Sequence, residues 1–134
     1  EKVLFSGDHV MGWSTTVVSP PDGDMADYMA SLQRLLGRDD AVVIPTHGPP
    51  ITDPRGHVTA LLDHRIERED QILACIATGI GRIPEMVARI YAEVPVHLHK
   101  AAGRSVHAHL VKLMAEGRVA AEPSAVADAF YHLP

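Results

Sequence analysis

Two short apolar runs with one helical pattern between them set the tightest limit on how this chain can fold. Val3-Leu4-Phe5 is closed by Ser6-Gly7-Asp8, and Ala41-Val42-Val43-Ile44-Pro45 runs straight into Thr46-His47-Gly48-Pro49-Pro50. Apolar runs of this length, bounded by turn residues, predict buried strands. Between them Met25, Tyr28, Met29, Leu32, Leu35 and Leu36 recur at helical spacing, with Asp24 placed to cap the start and Gly37 to end the helix. Residues 12–23, rich in Gly, Ser, Thr, Pro and Asp, predict a loop. Strand–loop–helix–strand–loop is a fragment of a layered α/β fold, and two strands with one helix cannot close a sheet core by themselves.

The pattern changes at Asp53-Pro54, an N-cap followed by proline at the first helical position. Val58, Leu61, Leu62, Ile66, Ile72, Leu73 and Ile76 predict one apolar face of a long helix ending near Gly79. Ile83-Pro84 opens a short helix with Met86, Val87, Ile90 and Tyr91 facing inward. After Pro95 a third helix carries Leu98, Ala101, Ala102, Val106, Leu110, Leu113 and Met114, and Gly117 stops it. Arg118–Ala121 and Ala127–Tyr131 predict two short strands around the turn signal Pro123-Ser124. Three helices followed by a hairpin is the winged-helix plan. The expected organisation is therefore an α/β fragment over residues 1–52 and a linker helix with a mostly α winged-helix domain over residues 53–134.

Composition narrows the function classes. The 134 residues suit one ordinary domain or two small ones, and 46% hydrophobic with 22% charged residues is enough to bury a core. Twelve Lys+Arg against 17 Asp+Glu give a net charge of -5, which excludes a polycation that coats nucleic acid. The excess acidity sits in residues 1–54, with three basic and eight acidic side chains, whereas residues 82–134 carry six against five. The single cysteine, Cys75, excludes an internal disulfide and a cysteine-rich zinc cage, and its place inside a helix predicts a packing role. No apolar run approaches the ~20 residues that span a bilayer, and no secretion signal opens the chain. The expectation is a cytoplasmic piece of a larger protein, since the chain begins at Glu1.

Asp8 and His47 stand out because each follows a predicted strand directly. In layered α/β folds, ligand-binding groups gather at the carboxyl ends of strands. A carboxylate and an imidazole delivered there suit a borderline metal such as zinc, which accepts O and N donors. Two ordinary roles remain open on spacing alone: Asp8 capping the turn at Gly7, and His47 making a surface hydrogen bond.

The stretches Leu4-Phe5-Ser6-Gly7-Asp8-His9-Val10-Met11-Gly12 and Ile44-Pro45-Thr46-His47-Gly48-Pro49-Pro50 resemble the last two metal-binding motifs of the metallo-β-lactamase superfamily. The helix from Asp53, with His64-Arg65 and Arg68-Glu69-Asp70-Gln71-Ile72-Leu73, resembles the linker helix of one branch. So does Ala108-His109-Leu110-Val111-Lys112-Leu113-Met114-Ala115-Glu116-Gly117-Arg118-Val119, in the small winged-helix domain that follows the hydrolase domain there. That branch includes lactamase-β-like endoribonucleases. The resemblance implies the C-terminal part of an αββα sandwich and a binuclear metal-dependent hydrolase. It implies zinc, two ions per full-length chain, with iron or manganese tolerated by the same donors. Asp8 becomes the carboxylate bridging both ions and a catalytic group, and His47 a ligand of the second ion. A hydroxide activated between the ions then attacks an ester, thioester, lactam or phosphodiester. His9 and Thr46, beside the ligands, become supporting groups, and Thr46 stands where relatives usually have Gly.

The superfamily's H-x-H-x-D-H motif does not occur in these residues. His97-Leu98-His99 and His107-Ala108-His109 have H-x-H spacing without the following D-H. Helical residues two apart point about 200° away from each other, so neither pair can chelate one ion. Asp8 and His47 supply two ligands where such ions need three or four, so the isolated chain is expected to be inactive.

A second reading, from another class, is a winged-helix nucleic-acid-binding module that uses Lys100, Arg104, Lys112 and Arg118 on phosphates. Net charge over residues 82–134 is only +1, which argues for a packing role with weak nucleic-acid contact. His107 and His109 are expected on the helix surface or half-buried. Expected partners are a small-molecule or RNA substrate, and a second copy of the chain through the unpaired strand edges of residues 1–52.

Overall fold

The computed structural model describes residues 2–122 and 128–134. In chain order the elements are β1 (Val3–Gly7), α1 (Met25–Leu36), β2 (Val42–Pro45), α2 (Pro54–Ala77), α3 (Ile83–Ile90), a 3₁₀ turn (Val96–Leu98), α4 (His99–Ala115), β3 (Ala120–Glu122) and β4 (Phe130–His132). They form two compact units, Glu1–Val17 with Asp27–Ile66, and Val18–Ala26 with Glu67–Pro134. The border falls inside α2, between Ile66 and Glu67, whereas the sequence break at Asp53 marks where that helix starts. Among the described residues no helix is long and apolar enough to cross a membrane.

In the first unit β1 and β2 pair in parallel, Val3 with Val42, Leu4 with Val43 and Phe5 with Ile44, before a register irregularity leads to Gly7 with Pro45. Val43 also exchanges both backbone hydrogen bonds with Ile51, which folds the segment after β2 back alongside it. Val43, Ile51, Leu32, Val58 and Leu61 are buried in this unit. The expected burial of β1 is corrected here: Val3 is 40% and Phe5 75% exposed. A strand's side chains alternate between two faces, and the face carrying Val3, Phe5 and Gly7 is open among the described residues.

Asp53 caps α2 as expected. Its Oδ1 accepts the Gly56 N–H at 3.0 Å and its backbone carbonyl accepts the His57 N–H at 3.0 Å. Both long helices of the second unit stop at a glycine with positive φ, Gly79 and Gly117. The residue after each glycine reaches back five positions, Ile80 N–H to Cys75 and Arg118 N–H to Leu113, both 2.9 Å. Between these stops α2, α3 and α4 pack a core of Ile72, Ile76, Met86, Val106, Leu110 and Leu113, which Tyr131 of β4 joins. Cys75 lies in the same cluster, and burial pushes its thiol pKa up, in keeping with a packing role. β3 and β4 pair antiparallel, Ala121 opposite Tyr131. The predicted turn at Pro123-Ser124, and Ala127 of the predicted last strand, lie outside the described residues.

Four helical expectations are corrected. Ile66 is 48% exposed, and Arg65 and Glu69 are buried instead. The inward stripe of α2 runs Val58, Leu61, Leu62, Arg65, Glu69, Ile72, Ile76, a helical repeat with two charges inside it. Leu98 is exposed because it sits in the 3₁₀ turn before α4, and Ala101 is exposed one turn further on. His109, expected on the helix surface or half-buried, is fully buried.

Glu69 and His109 explain each other. A carboxylate only accepts, so His109 Nδ1–H donates to Glu69 Oε1 at 3.2 Å, and Lys112 Nζ donates to Oε2 at 3.1 Å. Lys112 also pairs with Glu116 at 2.8 Å, and Arg118 with Glu116 at 3.5 Å. Burial pushes the Glu69 pKa up, but hydrogen bonds from His109 and Lys112 outweigh it and leave the carboxyl below its ordinary value. For Lys112, burial pulls downward and its bonds to Glu116 and Glu69 outweigh that, leaving it raised.

A carboxylate depressed in the folded state stabilises above its unfolded pKa, roughly 4.3, and loses that contribution as pH falls through the folded value. Lys112 acts in the opposite sense: its contribution is present below roughly pH 10.4 and is lost as pH rises through the raised folded value. Glu69→Ala is expected to cost about 3 kcal/mol at pH 7 by leaving His109 and Lys112 without their acceptor. Urea unfolding from pH 7 down to about 3 checks this. The difference from wild type should shrink on the acid side, and a constant difference contradicts the ionic account.

Candidate functional site

Because β1 and β2 run parallel, their carboxyl ends lie side by side, and the residues just beyond them meet. Thr46 N–H donates to the Gly7 carbonyl at 3.1 Å, carrying the strand pairing one step further. One residue on from each partner, His47 Nε2 stands 3.6 Å from Asp8 Oδ1, with the side chains 54% and 65% exposed. Among the described residues the Asp8 carboxylate accepts no backbone N–H, so it does not cap its own turn. An oxygen and a nitrogen donor thus converge at an open strand end.

The loop from Asp8 to Thr16 is tied down from several sides. The Thr16 hydroxyl donates to the backbone carbonyls of Asp8 and His9. Ser6 Oγ donates to the Val10 carbonyl at 2.8 Å, His57 Nε2–H to the Met11 carbonyl at 2.9 Å, and Arg65 to the Thr16 carbonyl at 2.6 Å. The Arg65 guanidinium also lies 5.1 Å from the Tyr28 ring centroid. Gly12 N–H donates to the His47 carbonyl at 3.0 Å, joining the two loops. They touch so closely there that a Cβ on Gly48, whose φ is +95°, would lie 2.7 Å from Gly12 Cα.

His9 and Thr46 are placed differently from expectation. The His9 ring packs edge-on against Tyr28 with centroids 5.2 Å apart, and its Nε2 is buried without a hydrogen-bond partner among the described residues. Burial, with Arg34 adding positive charge, lowers the His9 pKa. Thr46 is exposed and contributes its backbone N–H. Neither side chain hydrogen-bonds the Asp8 carboxylate or the His47 imidazole among the described residues.

Thr16, His57 and Arg65 are the positioning residues that sequence reasoning missed. Arg65 had a signal: it sits four residues after Leu61 on an apolar stripe, where a charge requires a buried partner. Of the four cations expected to meet phosphates, Lys112 and Arg118 are drawn into ion pairs with Glu69 and Glu116. Lys100 and Arg104 remain exposed on α4. The two H-x-H stretches form no ligand cluster: His99 bonds the Val94 carbonyl, and His109 is committed to Glu69. No group of three or more His, Cys, Asp or Glu side chains suited to one ion occurs among the described residues.

The chain is similar to known proteins along its whole length. Residues 83–127 match the β-lactamase-associated winged helix domain. The whole chain is 33% identical to a β-lactamase-like protein 2 homolog of Drosophila melanogaster and covers 46% of that relative. Over 69% of its length it is 30% identical to an atrochrysone carboxyl ACP thioesterase of Claviceps purpurea, covering 31% of it. A metallo-β-lactamase family protein from Thermus thermophilus has the same fold, with a TM-score of 0.80 at 24% identity, over all of this chain and 42% of that one. The chain therefore spans less than half the length of the relatives it matches.

The contact between the two loops predicts an ordering of glycine variants. Gly48→Ala is expected to cost about 2–3 kcal/mol, combining left-handed strain with the clash against Gly12. Gly117→Ala, with φ +72° but open space around it, should cost only about 1 kcal/mol. Equal losses in chemical denaturation would contradict the close approach.

Proposed function

The chain belongs to the metallo-β-lactamase superfamily, in the branch that carries the β-lactamase-associated winged helix, and from that premise we propose that the full protein is a metal-dependent hydrolase of activated acyl compounds, thioesters foremost. The observation that carries this reading is the convergence of Asp8 Oδ1 and His47 Nε2 at the ends of paired parallel strands. Both donors are exposed and, among the described residues, otherwise uncommitted, and the O,N pair fits zinc, with iron or manganese also accommodated. Asp8 would hold both ions of a binuclear pair and His47 the second. The remaining ligands are sought in the part of the relatives that this chain does not cover, so the 134 residues alone are expected to be inactive.

When bound, such ions supply an activated water near neutral pH and polarise the acyl carbonyl. This chain's own part is positional. Thr16 and Arg65 fix the backbone that bears Asp8, and His57 fixes Met11 in the same loop. A ligand aimed by fixed backbone loses little freedom on binding, which is how surrounding residues raise metal affinity. The choice of thioesters rests on the relative named as an ACP thioesterase and on the lactamase-like names of others. Esters, lactams and the phosphodiesters of RNA need the same carbonyl- or phosphoryl-directed chemistry.

Two outcomes test the reading in the full-length protein. Asp8→Ala should remove bound metal and lower kcat for an acyl thioester by at least about 10³-fold, as the loss of several kcal/mol implies. Two-metal stoichiometry retained in that variant overturns the bridging role. Thr16→Val should weaken metal affinity by about 10–100-fold while leaving the fold intact. Single-stranded RNA cleaved faster than any thioester would replace the substrate class and leave the metal site standing.

A further inference from the structure

The second unit holds a pocket of its own, formed by α3 and α4, with a volume of about 450 Å³. Its apolar wall is Ile83, Pro84 and Val87 of α3. The facing stretch of α4 brings Lys100, Gly103 and Arg104, and His99 and His107 complete the lining. We propose that this pocket binds an anionic amphiphile, a single carboxylate or phosphate head on an apolar tail, with the head at Lys100 and Arg104 and the tail against Ile83, Pro84 and Val87.

Two features point that way. Lys100 and Arg104 are four residues apart on one helix, so their charges repel each other. No ion pair relieves them among the described residues, and no carboxylate lines the pocket. An anion seated between them removes that repulsion. Second, Gly103 lies in the interior of α4, where glycine costs about 1 kcal/mol relative to alanine. A Cβ there would meet Ile83 Cγ2 at 3.4 Å, an ordinary contact, so backbone packing does not require the glycine. What the missing side chain preserves is the open space beside Ile83 and Val87.

The apolar wall decides between occupants. A nucleic-acid backbone would satisfy the two cations but leave Ile83, Pro84 and Val87 uncovered, whereas a tail of several carbons covers them. The size also suits a small molecule, since such sites run to about 300–1,000 Å³. The inference stands on the second unit alone and does not depend on the metal site.

The test is a titration of the ¹⁵N-labelled chain with decanoate and, separately, decyl phosphate, each below its micelle concentration. Acetate, decanol and a single-stranded RNA are run alongside. Saturable binding is expected with a Kd on the order of 0.1–1 mM, moving the amides of Gly103 and Arg104. The tighter of the two amphiphiles identifies the head group. Lys100→Gln with Arg104→Gln, at exposed positions that leave the core alone, should weaken binding by about tenfold or more. Gly103→Leu should abolish it by filling the pocket, and the charge variant keeps the test decisive if that substitution unfolds the unit. Neither amphiphile binding, binding unchanged in the charge variant, decanol binding as well as decanoate, or RNA moving the same amides more tightly than either amphiphile would each overturn the proposal.

Discussion

Everything at the candidate site depends on the parallel pairing of β1 with β2. Parallel strands place like ends together, so the first residues beyond Gly7 and Pro45 are neighbours by construction, although Asp8 and His47 are far apart in the chain. An antiparallel pair would have sent Asp8 and His47 to opposite ends of the sheet. The pairing alone does not aim the side chains. That falls to the loop contacts, where the Thr16 hydroxyl, Ser6, His57 and Arg65 take up the carbonyls of residues 8–11 and 16. A loop whose carbonyls are taken in this way presents its exposed carboxylate in a defined place. Paired strands holding a tied-down loop at their ends is the usual division of labour in layered folds.

The second unit solves a different problem. Three helices and a two-stranded hairpin bury a modest apolar core, and one carboxylate with its three basic neighbours is set into its edge. Glu69 is tolerated there because nearly every lone pair it offers finds a donor. The same cluster removes Lys112 and Arg118 from the surface charge available to a partner. What is left on α4, Lys100 and Arg104, is concentrated at a single apolar pocket. The winged-helix plan thus comes without the continuous basic stripe that groove binding needs.

Much of this was legible in the residues. Apolar runs broken by Gly and Pro located both strands of the first unit, Asp53-Pro54 marked the start of α2, and Gly79 and Gly117 marked two helix ends. Asp8 and His47 were legible because each directly follows a strand. What stayed hidden shares a physical cause. Apolar counting passes over charged residues, so it leaves Arg65 and Glu69 off the inward stripe, although each has a partner distant in sequence, 40 residues away for Glu69 and His109. Exposure was misread for a related reason. Phe5, Ile66 and Leu98 are apolar, but a side chain is buried only where another element covers it, and coverage is a tertiary property that no local pattern encodes.

The central claim is that Asp8 and His47 hold metal together. A crystal structure of the full-length protein, with anomalous diffraction recorded at the zinc edge, addresses it most directly. The account predicts anomalous peaks within about 2.0–2.2 Å of an Asp8 carboxylate oxygen and of His47 Nε2, with the Asp8 oxygens shared between two peaks. Zinc-loaded protein whose peaks lie elsewhere, with Asp8 and His47 still in mutual contact and free of metal, would contradict it.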